Sequence, residues 1–335
     1  MNKKYKYSIL LFFLWAQVVA SQAKKPSDSP NILFVFSDDH AWQSIGAYGG
    51  RLKEVAHTPH IDKLASEGTL FRKCFVANAL CGPSRAAILT GKYGHRNGVT
   101  WNRNTNFDGS QQTFPKMMRK NGYQTAIIGK WHLASVPTGF DYFDVMKGQG
   151  RYYNPFLQRG NAEGLQDTRT VVGYNSDIVG DLTIEWLKNG RDKSKPFMLM
   201  SQFKATHHGF CPGPDEYDLY DDIHIPEPDN LFDDFSYRGT AIREQTLTLY
   251  KNLSHSILVG DPGELGKLNP DQRKAWDVYR SKFSKPFQAM NLNWNDQNRE
   301  LSRFKYQALL KNFLASGAGI DKNVGRIRTF LQEND

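Results

Sequence analysis

The sequence predicts an α/β fold with a mostly parallel, doubly wound sheet, and three observations carry that expectation. Continuous apolar runs of strand length, at residues 32–36 and in "YQTAIIG" and "PFMLMSQF", are the pattern of strands buried on both faces. Between them lie segments whose apolar residues recur at helical spacing. Strand and helix therefore alternate, as they do where crossover helices cover both faces of one sheet.

Taken in order, "NILFVFSDDH" is the first strand, and it ends abruptly in Asp38 and Asp39. "HTPHIDKLASEG" then predicts a covering helix, with Thr58 as N-cap, Pro59 at the first helical position, a stripe of Ile61, Leu64 and Ala65, and Gly68 as the stop. Pro83 suits the first turn of a helix through Ser84 to Leu89, with Gly91 past its end. A short helix over 111–121 stops at Gly122 and leads into the second strand. Residues 176–189 place Ile178, Val179, Leu182 and Trp186 at helical spacing before the third strand. From Cys211 to about Ser236 prolines and acids dominate, so a long surface loop is predicted. Its acidic run from Asp215 to Asp234 reads as solvated, without chemistry. Helices return near 269–282 and 299–316, with a last one over residues 321–332. The chain stops at "LQEND", where the alternation asks for another strand.

Residues 1–23 read as a secretory signal, since Lys3, Lys4 and Lys6 precede an apolar run from Ile9 to Ala20 and small residues follow. Residues 24–335 are then one exported domain, periplasmic or secreted. No stretch of the mature chain is long and uncharged enough to span a membrane. The formal net charge of +9 falls with the loss of the three signal lysines, and the remaining positive balance favours an anionic partner. No nucleic-acid motif is present, and export argues against such a partner. The cysteines are three, Cys74, Cys81 and Cys211, an odd number in which no disulfide is expected.

Ligands of open α/β sheets bind beyond the carboxyl ends of the strands, where Asp38 and Asp39 stand. Adjacent carboxylates repel unless a cation or donor neutralises them, and their hard oxygens suit Ca²⁺, or less readily Mg²⁺. The plainer reading is that one acid caps a turn. Cys81 falls at a helix N-terminus that favours negative charge, with Arg85 one turn later on the same side. By itself it is either a buried structural cysteine or a reactive thiolate. Trp42, Trp131 and Tyr152 would either stack on sugar faces or pack in the core.

"LCGPSRAAILTG" contains CxPSR followed by LTG and resembles the signature of the type I sulfatases. "NILFVFSDDH", "HTPHIDKLASEG", "TGKYGHRNGV", "GKWHL" and "FKATH" resemble that family's successive blocks in order. The resemblance implies an alkaline phosphatase-like fold and sulfate ester hydrolysis. It implies that Cys81 is converted to formylglycine by a dedicated maturation enzyme that reads the segment before folding hides it. One hydroxyl of the hydrated aldehyde then attacks sulfur, and the second expels sulfate from the resulting ester. By the same resemblance Asp38, Asp39 and the oxygen of residue 81 bind calcium, Arg85 steadies the formylglycine, and Lys130 and His132 contact sulfate oxygens. His207 protonates the leaving oxygen, with His208 the counterpart if the register shifts by one, and Lys204 is the basic residue before it. Lys92 and His95 also line the pocket. "DLYDDIHIPEPDNLFDDFS" and "FKYQALLKNFLASGAGIDKNVGR" look closest to bacterial polysaccharide and glycosaminoglycan sulfatases, so the implied partner is a sulfated carbohydrate.

The sequence also departs from the family. Members continue into a strand bearing further acidic metal ligands and a sulfate-binding lysine, then into a smaller C-terminal subdomain, and none of these follows "LQEND". An incomplete oxygen cage holds Ca²⁺ poorly, so the expectation is a truncated chain with little or no activity alone. Two other functions fit the fold class. One is a phosphatase or phosphonate hydrolase of the wider superfamily, against which the intact CxPSR speaks. The other is a non-catalytic remnant that binds sulfated glycans.

Overall fold

The computed structural model describes residues 29–103, 105–249 and 253–334. The predicted signal segment lies outside them. Strands β1 (Ile32–Phe36), β2 (Gln124–Lys130), β3 (Tyr142–Met146), β4 (Phe156–Asn161), β5 (Gly164–Thr170) and β6 (Phe197–Gln202) form one sheet in the order β1-β6-β2-β3-β4-β5. The first four in that order run parallel, and β3-β4-β5 are antiparallel.

The period-2 alternation of the central strands separates two cores. Ala126 and Ile128 of β2 face one side, with Leu199, while Ile127 faces the other with Met198 and Met200. On the second side lie α2 (Cys81–Thr90) and α3 (Phe114–Lys120), which follow α1 (Pro59–Glu67) in the chain. On the first side α4 (Asn175–Glu185) packs with α5 (Pro270–Ala289) and α6 (Arg299–Asn334). No described helix is long and apolar enough to cross a membrane.

Four local expectations are corrected. Strand β3 and the β4–β5 hairpin were not legible, because "YFDVM" is short and interrupted by Asp144, and "FLQRGN" and "GLQDTRT" are polar strands with no apolar run. The two helices expected at 299–316 and 321–332 are one helix of 36 residues. Tertiary packing overrides the weak helix propensity of "ASGAGID". A Cβ at Gly325 would sit 2.5 Å from the His60 ring, and one at Gly317 would touch His40. Thr58 starts α1 but does not cap it. Its Oγ1 accepts from Gly46 N at 2.9 Å, and Asp321 of α6 accepts from His60 N and Ile61 N instead. The segment after Cys211 is no solvated loop throughout. Tyr220 and Ile225 are buried against Leu314 and Ala315, strapping it to α6.

Candidate active site

The carboxyl ends of β1, β2 and β6 converge with the first turn of α2 on one buried spot. Two residues beyond β1, Asp38 is buried and its N–H donates to Ala205 O at 3.0 Å. Lys130, the last residue of β2 and fully buried, donates its Nζ to Asp38 Oδ2 and to Gln149 Oε1, the latter at 2.7 Å. Gly129 makes this approach feasible: its φ is +101°, and a Cβ there would lie 2.0 Å from Gln202 O. Cys81 opens α2, and Arg85 one turn later is buried under it. Arg85 Nη1 donates to Lys130 O at 2.6 Å and to the Gln202 side chain, Nη2 lies 3.7 Å from Asp38 Oδ1, and the guanidinium covers the Phe36 ring.

Beyond β2 the chain folds back at His132, whose φ is +50°, leaving Nδ1 buried without a partner. From the segment after β6 come Lys204, buried over the Tyr152 ring, and His207, whose Nε2 is 3.9 Å from Asp39 Oδ2. Asp38, Cys81 and His207 offer ligand-type atoms that all lie within 4.8 Å of one another.

Electrostatics sorts these groups. Burial works to raise the Asp38 carboxyl, but the charges of Lys130 and Arg85 hold it below its ordinary value. Asp39 is raised, by burial and then by the charge of Asp38. Burial lowers Lys130 to about 8, an effect that Asp38 only partly offsets, and it lowers Lys204 as well. His132 and His207 fall to about 4 through burial and the neighbouring cations. The Cys81 thiol is raised, by burial first and Asp38 next. The helix N-terminus therefore does not make it a thiolate here.

Asp38, Asp39, Cys81, Arg85, Lys130, His132, Lys204 and His207 thus gather at one place. Lys92 and His95 do not join them. Both are exposed past the far end of α2, roughly 15 Å from its start at 1.5 Å per residue, and His95 stacks on Tyr93. His208 turns to Phe210, so His207 is the histidine in reach. Trp131 and Tyr152 are core residues, whereas Trp42 is exposed. Sequence reasoning missed Gln149 and Gln202, the acceptors that hold Lys130 and Arg85. The only signal for Gln149 was its place in "KGQGR", between glycines at φ +63° and +69°.

By donor type Asp38 and Asp39 fit a hard divalent cation. Among the described residues, Asp39 pairs directly with no cation except the weakly basic His207. Cys81 sulfur and His207 nitrogen are softer donors that suit Ca²⁺ poorly.

A sulfatase family model matches residues 30–334. An N-acetylglucosamine-6-O-sulfatase of Bacteroides thetaiotaomicron is 38% identical over 344 aligned residues, which cover 97% of this chain and 60% of that protein. Human N-acetylgalactosamine-6-sulfatase is 39% identical over 221 residues, 56% of this chain and 41% of that protein. A structure solved in complex with its substrate D-glucosamine-2-N,6-O-disulfate superposes with a TM-score of 0.79 at 38% identity, covering 91% of this chain and 62% of that one. The chain spans about 60% of the length of the first of these relatives.

Proposed function

The chain belongs to the sulfatase family, and on that premise we propose that it hydrolyses sulfate esters of a glycosaminoglycan-type carbohydrate, with the 6-O-sulfate of an amino sugar as substrate. The observation that carries this reading is the convergence of three buried cations, Arg85, Lys130 and Lys204, beside residue 81 at the carboxyl edge of a parallel sheet. Such a place suits a compact oxyanion. The relative named for N-acetylglucosamine-6-O-sulfate and the neighbour bound to a disulfated glucosamine support the choice of sugar.

Conversion of Cys81 to formylglycine, by a maturation enzyme acting before folding half-buries it, would supply a hydrated aldehyde as nucleophile and as exit for sulfate. Asp38 and Asp39 would hold Ca²⁺, which lowers the pKa of a bound hydroxyl and polarises sulfate oxygens. The chain's own residues do the rest. Lys130 and Lys204 each bring ammonium donors to the sulfate oxygens, in a setting dry enough to strengthen them. Arg85 ties the first turn of α2 to the end of β2, fixing residue 81 against Lys130. Burial and the neighbouring cations keep His207 neutral, and the negative charge of a bound sulfate raises its proton affinity, preparing it to protonate the leaving oxygen. His132 stays neutral and has one ring nitrogen without a partner to offer. Export through residues 1–23 belongs to the same reading.

The test is sulfate release from N-acetylglucosamine-6-sulfate, N-acetylgalactosamine-6-sulfate and a phosphate monoester, by protein co-produced with a formylglycine-generating enzyme. Excess Ca²⁺ is needed, since two carboxylates are only part of an oxygen cage. The expected result is sulfate release led by the glucosamine ester, and slow, because the two carboxylates alone hold Ca²⁺ poorly. No release from either sulfated sugar by protein whose residue 81 is verified as the aldehyde, or faster release of phosphate, overturns the proposal.

A further inference from the structure

We infer that Gln149 is a positioning residue that couples Lys130 to Lys204 and aims their remaining N–H donors at one anion site. The inference rests on the reading of that site as a sulfate pocket. Gln149 Oε1 accepts from Lys130 Nζ at 2.7 Å, and the backbone oxygen of the same residue accepts from Lys204 Nζ at 3.4 Å. Both lysines are buried, whereas Gln149 stands exposed at the mouth.

Counting donors shows what this does. An ammonium carries three N–H bonds and accepts none. Lys130 gives one to Asp38 and one to Gln149, leaving one free. Lys204 gives one to the Gln149 carbonyl while its head sits 4.8 Å from the centre of the Tyr152 ring, leaving the others free. One residue thus fixes the rotation of two ammonium groups from opposite ends. Because a lysine can only donate, the Gln149 side chain must turn its oxygen inward.

The backbone that holds Gln149 is itself anchored. Flanking Gly148 and Gly150 adopt positive φ, a turn that side chains other than glycine resist. Three residues on, Tyr152 N donates to the Glu264 carboxylate at 3.0 Å, and Tyr152 OH donates to His207 O at 2.5 Å. The stretch 149–153 therefore touches Lys130, Lys204 and His207, and it is tethered from outside the sheet by Glu264, in the single helical turn Pro262–Leu265.

The experiment measures inorganic sulfate binding by calorimetry in wild type, Gln149→Met, Lys130→Met, Lys204→Met and the two double variants. Gln149 is exposed, so its replacement should leave the melting temperature within a degree or two, which circular dichroism checks. Losing one charge-assisted bond should weaken sulfate binding about tenfold. In the Lys130→Met background the Gln149→Met effect should shrink to less than about twofold, because Gln149 acts through that lysine. Wild-type affinity in Gln149→Met, additive losses in both double variants, or no sulfate binding by the wild type would each overturn the assignment. A wild type that binds sulfate with this coupling yet releases none from esters would leave the assignment standing and remove the hydrolytic reading instead.

Discussion

Replacing Arg85 by Met tests the architecture of the site at the buried cation that ties three elements together. The methionine keeps the apolar stem against Phe36 but removes the donors to Lys130 O and Gln202 and one of two counter-charges of Asp38. Each buried acceptor left unpaired costs about 1–3 kcal/mol, and breaking a buried ion pair costs about 3–5 kcal/mol. Two terms reduce the sum. Asp38 keeps Lys130, and Arg85 already carries two buried donors that make no hydrogen bond, Nε and Nη2, the latter only ion-paired at 3.7 Å with Asp38, so their burden disappears with it. The expected net loss is about 3 kcal/mol, measured as the fall in unfolding free energy from urea titrations with chelator present and the m-value unchanged. Arg85→Lys should recover less than half, since one ammonium cannot reach three acceptors arranged for a fork. A loss below about 1 kcal/mol for Arg85→Met, or full recovery by lysine, would refute this account of the guanidinium as the tie between β2, β6 and α2.

Other outcomes follow from the same geometry. His40, His132 and His207 have folded values near 4 against an ordinary 6.5. Between those limits the unfolded chain binds protons that the folded chain does not, so stability should be full above pH 6.5 and fall as pH drops toward 4. His40, the most deeply buried of the three, can contribute up to about 3 kcal/mol and the other two less, and urea midpoints across that range measure the fall; a flat profile would contradict it. Gly129→Ala should cost more than about 3 kcal/mol, because both its positive φ and the Gln202 carbonyl oppose a side chain; soluble yield and melting temperature report it. Lys130→Met should cut sulfate release about 100-fold or more, as removal of a donor to developing charge does elsewhere, while Lys92→Met, outside the cluster, should leave it within twofold.

The central strands and the residues at their carboxyl ends were legible because they obey local rules. The stretch 197–200 is apolar and buried, as a strand covered on both faces must be, whereas Ile32–Phe36 is as apolar but lies half-buried at the edge of the sheet. The acids after β1 and the CxPSR turn were recognisable as short contiguous motifs. What stayed hidden depends on partners far away in the chain. The β4–β5 hairpin has no apolar run, and α6 continues through Gly317 and Gly319 because close packing against His40, Tyr174 and Glu216 outweighs their cost. Asp321 capping a helix some 260 residues earlier cannot be read from either segment alone. Lys92 and His95 show the reverse hazard: a contiguous motif extends past the helix, and the length of α2 carries its end away from the site. Gln149 belongs with the hidden group, since its meaning arises only when β2 and the segment after β6 lie side by side.

The chemistry assigned to residue 81 is tested most directly by preparing the protein with graded degrees of maturation. The aldehyde fraction is read by peptide mass spectrometry across Cys81, and sulfate release is measured for each preparation. The account expects release to rise in proportion to the aldehyde fraction and to vanish with the thiol. Equal release from unconverted and converted protein would contradict it.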